Sequence, residues 1–294
     1  MFLADGWKDY ELIDCDKGEK LERWGTHRLV RPDPQVVWAL NPKEKSPIWN
    51  QADARYLRSK SGGGHWETRH KLPDSWSIRY RELTFGIKPM GFKHTGLFPE
   101  QAANWDWFSN IIRQSGRKDV QVLNLFAYTG GATMAAAAAG ASVCHVDAAK
   151  GMVNWAKENA VLSGLSQHPI RYIVDDVKKF VEREVRRGRK YDGIIMDPPS
   201  YGRGPNGELW KIEQELFDLI RLCLQVLTPH PLFFLVNTYT TGLSGSVMEN
   251  IFRLTLLKQF GGEFSVDEVG LPVSNQNLVL PCGYSSRWCA GESL

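Results

Sequence analysis

Two short segments combine residue types that could hold a ligand and act on it. In the first, Val122–Thr133, an apolar run stops at Gly130 and Gly131 and restarts as an alanine-rich segment. This order is typical of a strand, a tight turn and a helix start, whose bare amides can receive an anionic group. In the second, Asp197-Pro-Pro-Ser-Tyr201, an acid and an aromatic residue flank two prolines. The prolines fix the backbone and aim carbonyls into a crevice, so this segment could orient a hydrogen-bond donor.

These segments need a sheet to position them. From about residue 120, segments typical of strands and helices alternate, which predicts a mainly parallel sheet with right-handed crossovers. The predicted strands are 120–126, 142–147, 170–174, 191–197 and 231–237, and the predicted helices are 129–139, 149–163, 177–187, 212–227 and 245–260. Two further segments, 263–270 and 277–281, look like a hairpin at the sheet edge. The predicted fold class is therefore α/β, a doubly wound sheet with one antiparallel edge strand.

Acidic residues at the carboxyl ends of the predicted strands are candidate ligand contacts, because ligands of such sheets bind there. Asp147 closes the second strand, where an acid holds ribose hydroxyls in nucleotide-binding sheets, and a helix-capping aspartate is the alternative. Asp176 ends the third strand and could accept a hydrogen bond from an adenine amino group or cap the next helix. The neighbouring Asp175 is an alternative candidate for the same roles.

Residues 1 to about 90 differ in character. Short apolar segments separated by turn residues predict a small β-rich domain there. They include 10–13, 27–30, 35–38 and 76–83. Six of the eleven tryptophans lie among arginines in this region, a mixture that suits RNA because rings stack on unpaired bases. Equally, the tryptophans could fill the core of the domain and the arginines cover it. We predict domains at 1–90 and 91–294, and a mobile loop at Ser59–Gly64.

Composition indicates a soluble globular protein, with 43% hydrophobic and 23% charged residues in 294. The N-terminus lacks the pattern of a signal peptide, and no apolar run approaches the ~20 residues of a membrane span, so we expect a cytoplasmic protein with no membrane partner. The five cysteines are scattered, which argues against a disulfide framework and a metal site. Cys144 and Cys223 are expected in the core. A net charge of +3 is compatible with nucleic acid without requiring it.

The order of these motifs resembles that of the class I S-adenosylmethionine-dependent methyltransferases, a likeness that implies a seven-stranded Rossmann-like sheet with the antiparallel strand. The chain is more closely similar to the bacterial large-subunit rRNA methyltransferases that modify cytosine C5 or guanine. Their Thr-Gly-aromatic segment is matched by 93–101, their Phe-x-Tyr-Thr-Gly loop by 126–130, and their Asp-Pro-Pro-x-[Phe/Tyr] motif by 197–201. The resemblance covers roughly residues 80 to 290, and it implies an rRNA substrate.

The resemblance also implies S-adenosyl-L-methionine as the cofactor and assigns its binding residues. These are Thr95, Phe98, Gln101, Asn124, Phe126, Ala127, Tyr128, Thr129, Gly130, Gly131, Asp147, Ala148, Asp176, Val177 and Asp197. The loop 124–131 would hold the methionine moiety, Asp147 the ribose, and Asp176 with Val177 the adenine, while Phe98 and Gln101 would close the pocket. The catalytic residues would be Asp197, Pro198, Ser200 and Tyr201.

Two acceptor chemistries compete. Methylation of cytosine C5 requires a thiolate that adds to C6, and in the C5 branch this cysteine follows the fifth strand. Here that segment is 235–241, which has no cysteine, and Cys282 or Cys289 could substitute only if the fold brings one to the Asp197 loop. A nitrogen acceptor needs less help, because Asp197 and the Pro198 carbonyl can accept hydrogen bonds from an amine while Tyr201 stacks on the ring. We therefore expect nitrogen methylation of a base, preferably a purine. Asn237 and Tyr239 could shape that pocket or merely end a strand.

Other classes of function stay open at this point. A nicotinamide dehydrogenase shares the sheet and the ribose acid, but Gly-x-Gly-x-x-Gly is absent. A non-catalytic RNA-binding protein could retain the same fold, and a methyltransferase could act on a protein or a small molecule. The sequence contains no motif that identifies the acceptor or the oligomeric state.

Overall fold

The computed structural model describes residues 1–59, 63–91, 93–204, 207–239 and 242–291. Residues 60–62 of the predicted mobile loop thus lie outside the described residues. The chain forms two compact units. The first consists of Met1–Ala103 and Val269–Cys282, and the second of Asn104–Glu268 and Gly283–Leu294. The predicted domain boundary near residue 90 falls within the first unit.

The strands in chain order are β1 (Phe2–Leu3), β2 (Tyr10–Asp16), β3 (Glu19–Trp24), β4 (His27–Pro32), β5 (Ala54–Arg58), β6 (Gly64–Thr68), β7 (Trp76–Tyr80), β8 (Leu83–Ile87), β9 (Gln121–Leu125), β10 (Ser142–Asp147), β11 (Ile170–Val174), β12 (Gly193–Met196), β13 (Tyr201–Arg203), β14 (Leu209–Lys211), β15 (Phe233–Thr238), β16 (Glu263–Val273) and β17 (Leu278–Cys289). The helices are α1 (Ala102–Gln114), α2 (Gly131–Ala138), α3 (Lys150–Leu162), α4 (Val177–Arg186), α5 (Ile212–Leu224), α6 (Gly245–Leu254) and α7 (Leu256–Phe260). Short 3-10 helices cover Pro47–Gln51 and Pro99–Gln101.

The first unit is built mainly from strands, which confirms the predicted β-rich region. Its sheet has the order β16-β2-β3-β4-β5-β6, with β1 parallel to β16, and β7 and β8 form a separate hairpin. The segment 35–38, predicted as strand-like, forms no strand. Its carbonyls instead accept hydrogen bonds from the turn between β2 and β3, with Gly18 N donating to Val36 O at 2.8 Å. The segment 76–83 is divided by a turn at Arg81, whose φ is +52°.

The predicted doubly wound sheet has seven strands in the described residues. Their order is β11-β10-β9-β12-β15-β17-β16, β17 runs antiparallel to β15, and the second unit includes residues 263–268 of β16 and 283–289 of β17. From β9 the chain builds outward to β10 and β11 on one side and continues with β12 on the other. The sheet order therefore reverses between β9 and β12, and a ligand crevice is expected beyond the carboxyl ends of these strands.

Two local features of the second unit follow from single residues. The alanines of α2 pack closely on the sheet, since Ala135–Ala137 are buried, and Gly140 follows the helix at a φ of +104°, as expected. The helix predicted over 245–260 is broken at Thr255, which corrects that prediction. Thr255 Oγ1 donates to Ile251 O at 2.6 Å, and its amide turns to Phe252 O. A hydroxyl that takes the i−4 carbonyl competes with the helical bond, and α6 therefore ends there.

None of the helices in the described part of the chain combines the length and apolar character that crossing a bilayer requires.

Candidate active site

The loop after β9 has an unusual backbone that its hydrogen bonds hold in place. Phe126, Tyr128 and Gly130 all have left-handed φ angles, of +55°, +49° and +84°. For residues other than glycine this conformation is uncommon and costs energy. Ala127 N donates to Val146 O at 3.0 Å and Gly130 N to Ala127 O at 2.9 Å, which tie the loop to β10 and to itself. The predicted turn, residues 126–130, therefore has a backbone fixed in advance by its own hydrogen bonds. This loop at the strand end is called the cradle below.

Asp147 fixes this cradle from the end of the neighbouring strand. Its Oδ2 accepts the Tyr128 amide and its Oδ1 the Ala149 amide, both at 2.8 Å. Burial raises the pKa of the Asp147 carboxyl, and the two amide bonds oppose that effect. Ala149, not Asp147, is the N-cap residue of α3. Each carboxylate oxygen can accept more than one hydrogen bond, so holding the loop is compatible with the predicted ribose contact.

Beneath the cradle lies a buried polar chain. Asn124 Nδ2 donates to Thr133 Oγ1 at 2.9 Å, and Thr133 Oγ1 in turn lies 2.9 Å from His145 Nδ1. Burial lowers the pKa of His145 to about 3, so the imidazole is neutral. Asn124, a predicted cofactor contact, therefore uses its side chain within the core, linking β9 to α2.

The paired glycines are required by packing. A Cβ on Gly130 would lie 2.9 Å from the Ala156 Cβ of α3, and one on Gly131 would lie 2.7 Å from the ring of Trp105 in α1. Helix α1 was not among the predicted elements. These contacts show that α1 and α3 close on the start of α2 only because both positions lack a side chain.

Asp176 caps helix α4, as one of the two sequence interpretations proposed. Its Oδ1 accepts the Lys179 amide at 2.9 Å. Asp175 forms an ion pair with Arg183 and accepts the Asp176 amide at 2.9 Å. The Asp175 carboxylate, the alternative candidate, therefore binds groups at the start of α4 and within it. The adenine contact of Asp176 and Val177 stays a prediction.

Asp197 follows β12 at the centre of the crevice. The register pairs Met196 with Leu125 on one side and with Val236 on the other, so the next residues, Phe126, Asp197 and Asn237, end neighbouring strands at one edge of the sheet. Pro198 is buried, whereas Ser200 and Tyr201 are exposed. The predicted catalytic segment therefore lies beside the cradle.

A small hairpin that the sequence analysis missed follows this segment. Strands β13 and β14 pair Gly202 with Trp210, whose Nε1 donates to Pro199 O at 2.7 Å. The Trp210 ring lies 5.0 Å from the Phe126 ring, and the hairpin thereby joins the Asp-Pro-Pro segment to the cradle. The sequence Gly-Pro-Asn-Gly at 204–207 consists of residue types common in turns, and this pattern could have identified the hairpin.

Asn237 belongs to a second buried polar network at the end of β15. Its Oδ1 accepts hydrogen bonds from Asn104 Nδ2 at 3.0 Å and from Ser285 Oγ at 2.7 Å, and Arg287 Nε donates to Asn104 Oδ1 at 2.9 Å. The members of this network, Asn237 included, come from three separate parts of the sequence, so no local pattern could have found them. Tyr239, by contrast, is 40% exposed.

The predicted pocket-closing residues Thr95, Phe98 and Gln101 lie in the first unit. Thr95 is fully buried, and its Oγ1 has no hydrogen-bond partner among the described residues, as expected of a group that awaits a polar ligand. Phe98 packs near His94, with ring centroids 5.2 Å apart, and Gln101 is buried. Their contacts with a cofactor stay predictions.

The tryptophans of the first unit support the segment that carries these residues. Two tryptophans donate through Nε1 to carbonyls near or within this segment, Trp66 to Met90 O at 2.8 Å and Trp7 to Pro99 O at 2.9 Å. Two other side chains do the same, Tyr56 to Gly91 O at 3.1 Å and Arg31 to Lys93 O at 3.0 Å. Trp24 and Trp49 are buried in the unit. These rings have the structural role that was weighed against RNA stacking, whereas Arg58, Arg69 and Arg79 are exposed.

Of the two cysteines that could replace the missing nucleophile, Cys289 lies away from Asp197, and Cys282 belongs to the first unit. Cys289 pairs with Phe233 at the start of β15, and Gly193 at the start of β12 pairs with the same residue, so Cys289 lies at the opposite sheet edge. Burial raises the pKa of Cys282 and of Cys289, which keeps both thiols protonated. Cys144 and Cys223 lie in the core as predicted. The described residues contain no group of three possible metal ligands.

The arrangement suits a nucleoside that carries a charged amino-acid tail. Carboxylates can accept hydrogen bonds from ribose hydroxyls and an adenine amine, and the preformed loop offers backbone groups to the tail. Asp197 and the Pro198 carbonyl lie next to this space, where they can accept from an amine of a second molecule.

Comparison with known proteins defines the class. Residues 35–241 match the family model of S-adenosylmethionine-dependent methyltransferases. The crystal structure of the SAM-dependent methyltransferase from Agrobacterium tumefaciens is 38% identical, with a TM-score of 0.92 over 98% of this chain and 93% of that chain. The chain belongs to the S-adenosylmethionine-dependent methyltransferase family. It is thus an enzyme that uses S-adenosyl-L-methionine. This excludes the alternative of a nicotinamide dehydrogenase.

Two relatives of similar sequence are named as ribosomal RNA large subunit methyltransferases. The ribosomal RNA large subunit methyltransferase K of Neisseria meningitidis is 25% identical over 74% of this chain and 62% of its own length. The corresponding K/L protein of Syntrophotalea carbinolica is 28% identical over 62% of this chain. The chain spans only 25% of that K/L protein.

Proposed function

We propose that this methyltransferase modifies a base of ribosomal RNA at a ring or amino nitrogen, preferably of a purine. The names of the K and K/L relatives support rRNA as the substrate class. The single observation that carries the choice of atom is the position of Asp197 and Pro198 beside the cradle, together with the absence from segment 235–241 of the cysteine that C5 chemistry uses.

Three residues of the second unit then have defined roles. The cofactor supplies an electrophilic methyl group on a sulfonium, so the protein needs to align the acceptor and exclude water. The Asp147 carboxylate holds a ribose hydroxyl while it keeps the cradle closed through Tyr128. The Asp197 carboxylate and the Pro198 carbonyl accept hydrogen bonds from the acceptor base and orient its nitrogen toward the cradle.

The first unit supports the same proposal in a different way. Its sheet positions the segment 93–101, which carries Thr95 and Gln101, through hydrogen bonds to backbone carbonyls. The exposed arginines leave this unit able to contact phosphates, and such binding should weaken steeply with salt. We propose that residues 1–90 recognise substrate and residues 91–294 carry the transfer.

The test uses rRNA from cells that lack the protein. This rRNA is incubated with purified protein and S-adenosylmethionine, digested to nucleosides and analysed by mass spectrometry. We expect one new nucleoside methylated on nitrogen, and none with Asp197→Ala. A new 5-methylcytosine would contradict the choice of atom. A protein that binds S-adenosylhomocysteine but adds no methyl group to rRNA would refute the substrate class.

A further inference from the structure

We infer that the outer face of the β13–β14 hairpin is a binding surface for unpaired RNA. This surface, called the hairpin face below, consists of Tyr201, Arg203, Leu209 and Lys211. The inference deepens the proposed function, on which it rests, by naming the part of the enzyme that would hold the RNA strand next to the acceptor base.

The register of the hairpin separates two faces. Tyr201 pairs with Lys211 and Arg203 with Leu209, so these four side chains share one face, and Trp210 lies on the other. The inner face is occupied, because Trp210 packs on Phe126 and donates to Pro199 O. The hairpin face is open, with Tyr201 55% and Leu209 51% exposed.

The charges of the hairpin favour an anionic partner. Its acidic residue, Glu208, forms an ion pair with Lys179 of α4. Arg203 and Lys211 are exposed, and no described residue forms an ion pair with either of them. The hairpin face therefore presents two cations without a compensating acid. Two cations that flank an aromatic ring can bind phosphates while the ring stacks on a base.

The position of the hairpin face explains why this partner is the substrate strand. Tyr201 lies four residues after Asp197, and Trp210 anchors the hairpin to Pro199 of the same segment. An exposed tyrosine and an exposed leucine beside two cations suit an unpaired nucleotide, which offers a ring face and a phosphate together. An acidic protein would use the cations but would give Tyr201 no preferred stacking partner.

The experiment measures binding of a fluorescein-labelled single-stranded oligoadenylate by anisotropy at several salt concentrations. Arg203→Ala/Lys211→Ala should lower the slope of log affinity against log salt by about 1.4, since each phosphate contact on single strands contributes ~0.7. Tyr201→Ala should weaken binding roughly 5- to 150-fold. The matched control, Arg186→Ala/Arg189→Ala, removes the same charge from exposed positions that precede β12, at the opposite sheet edge, and should keep the wild-type slope.

Calorimetry with S-adenosylhomocysteine separates these effects from misfolding, because all the variants should keep wild-type cofactor affinity. If the wild type methylates rRNA and the hairpin variants bind RNA as the control does, the inference is wrong and the proposed function stands. If the wild type binds no RNA and methylates none, both are wrong. A lowered slope and weaker binding confined to the hairpin variants would establish the surface.

Discussion

Replacing Asp147 with asparagine should weaken both cofactor binding and the fold. The carboxylate holds two backbone amides at 2.8 Å, from Tyr128 and Ala149. Asparagine keeps one acceptor oxygen, so one amide and the ribose hydroxyl lose theirs. An unsatisfied amide should lower the free energy of unfolding by about 1–3 kcal/mol. Loss of a charged acceptor should cost the cofactor about 1.5–3 kcal/mol, or roughly a 10- to 150-fold lower affinity.

Calorimetry with S-adenosylhomocysteine measures the affinity, and urea unfolding without ligand measures the stability. Asp175→Asn is the matched control, because Asp175 also follows a strand and accepts a backbone amide at 2.9 Å, but forms an ion pair with Arg183. Its cofactor affinity should match that of the wild type. Asp147→Asn with wild-type affinity and reduced stability would refute the ribose contact and leave Asp147 a purely structural role. Because burial raises the Asp147 pKa, acid should weaken cofactor binding at a higher pH than an ordinary aspartate would allow.

Three further predictions address the acceptor site and the cradle. Asp197→Ala should reduce turnover far more than affinity for S-adenosylhomocysteine; equal losses would place Asp197 in the cofactor site. Because the His145 pKa is about 3 in the fold and ~6.5 when unfolded, stability should be lost as the pH falls below ~6.5, by about 2 kcal/mol at pH ~5 relative to His145→Asn. Parallel urea midpoints for both proteins across this range would contradict the burial of a neutral ring. Gly131→Ala should cost about 1–3 kcal/mol because its Cβ meets Trp105, whereas Gly151→Ala, with open space around its Cβ, should stabilise α3 by about 0.5–1 kcal/mol. Thermal unfolding compares the two, and equal shifts would show that the glycine packing argument is wrong.

The sequence predicted the parallel strands of the central sheet well because they are short and mostly apolar. The predictions 142–147 and 170–174 coincide with β10 and β11. Helix α1 was missed although Trp105, Phe108 and Ile112 have helical spacing and are buried. Polar residues between them obscure that stripe. Strands of three residues, such as β13 and β14, are too short for any periodicity to be visible.

The candidate site was predicted in part. The cradle and Asp197 were found because each ends an apolar strand with turn residues. The contacts of Asn104 with Asn237 and with Ser285 join residues more than a hundred positions apart in the chain, which no single-sequence pattern encodes. Trp210 was missed for a related reason, since its importance comes from the ring and carbonyl it meets in space.

The parallel pairing of β1 with β16 affects how this protein is made. Phe2 lies opposite Val269, and Leu12 of β2 opposite Val273, so the first unit receives one of its strands from a segment more than 250 positions later in the sequence. During translation the first unit cannot be completed until Val269–Cys282 has left the ribosome. Until then the strands made first have an unpaired sheet edge while the α/β segments are synthesised. Such an exposed edge favours aggregation. Truncation after residue 90 would remove the pairing partner permanently, so the isolated fragment should fold poorly.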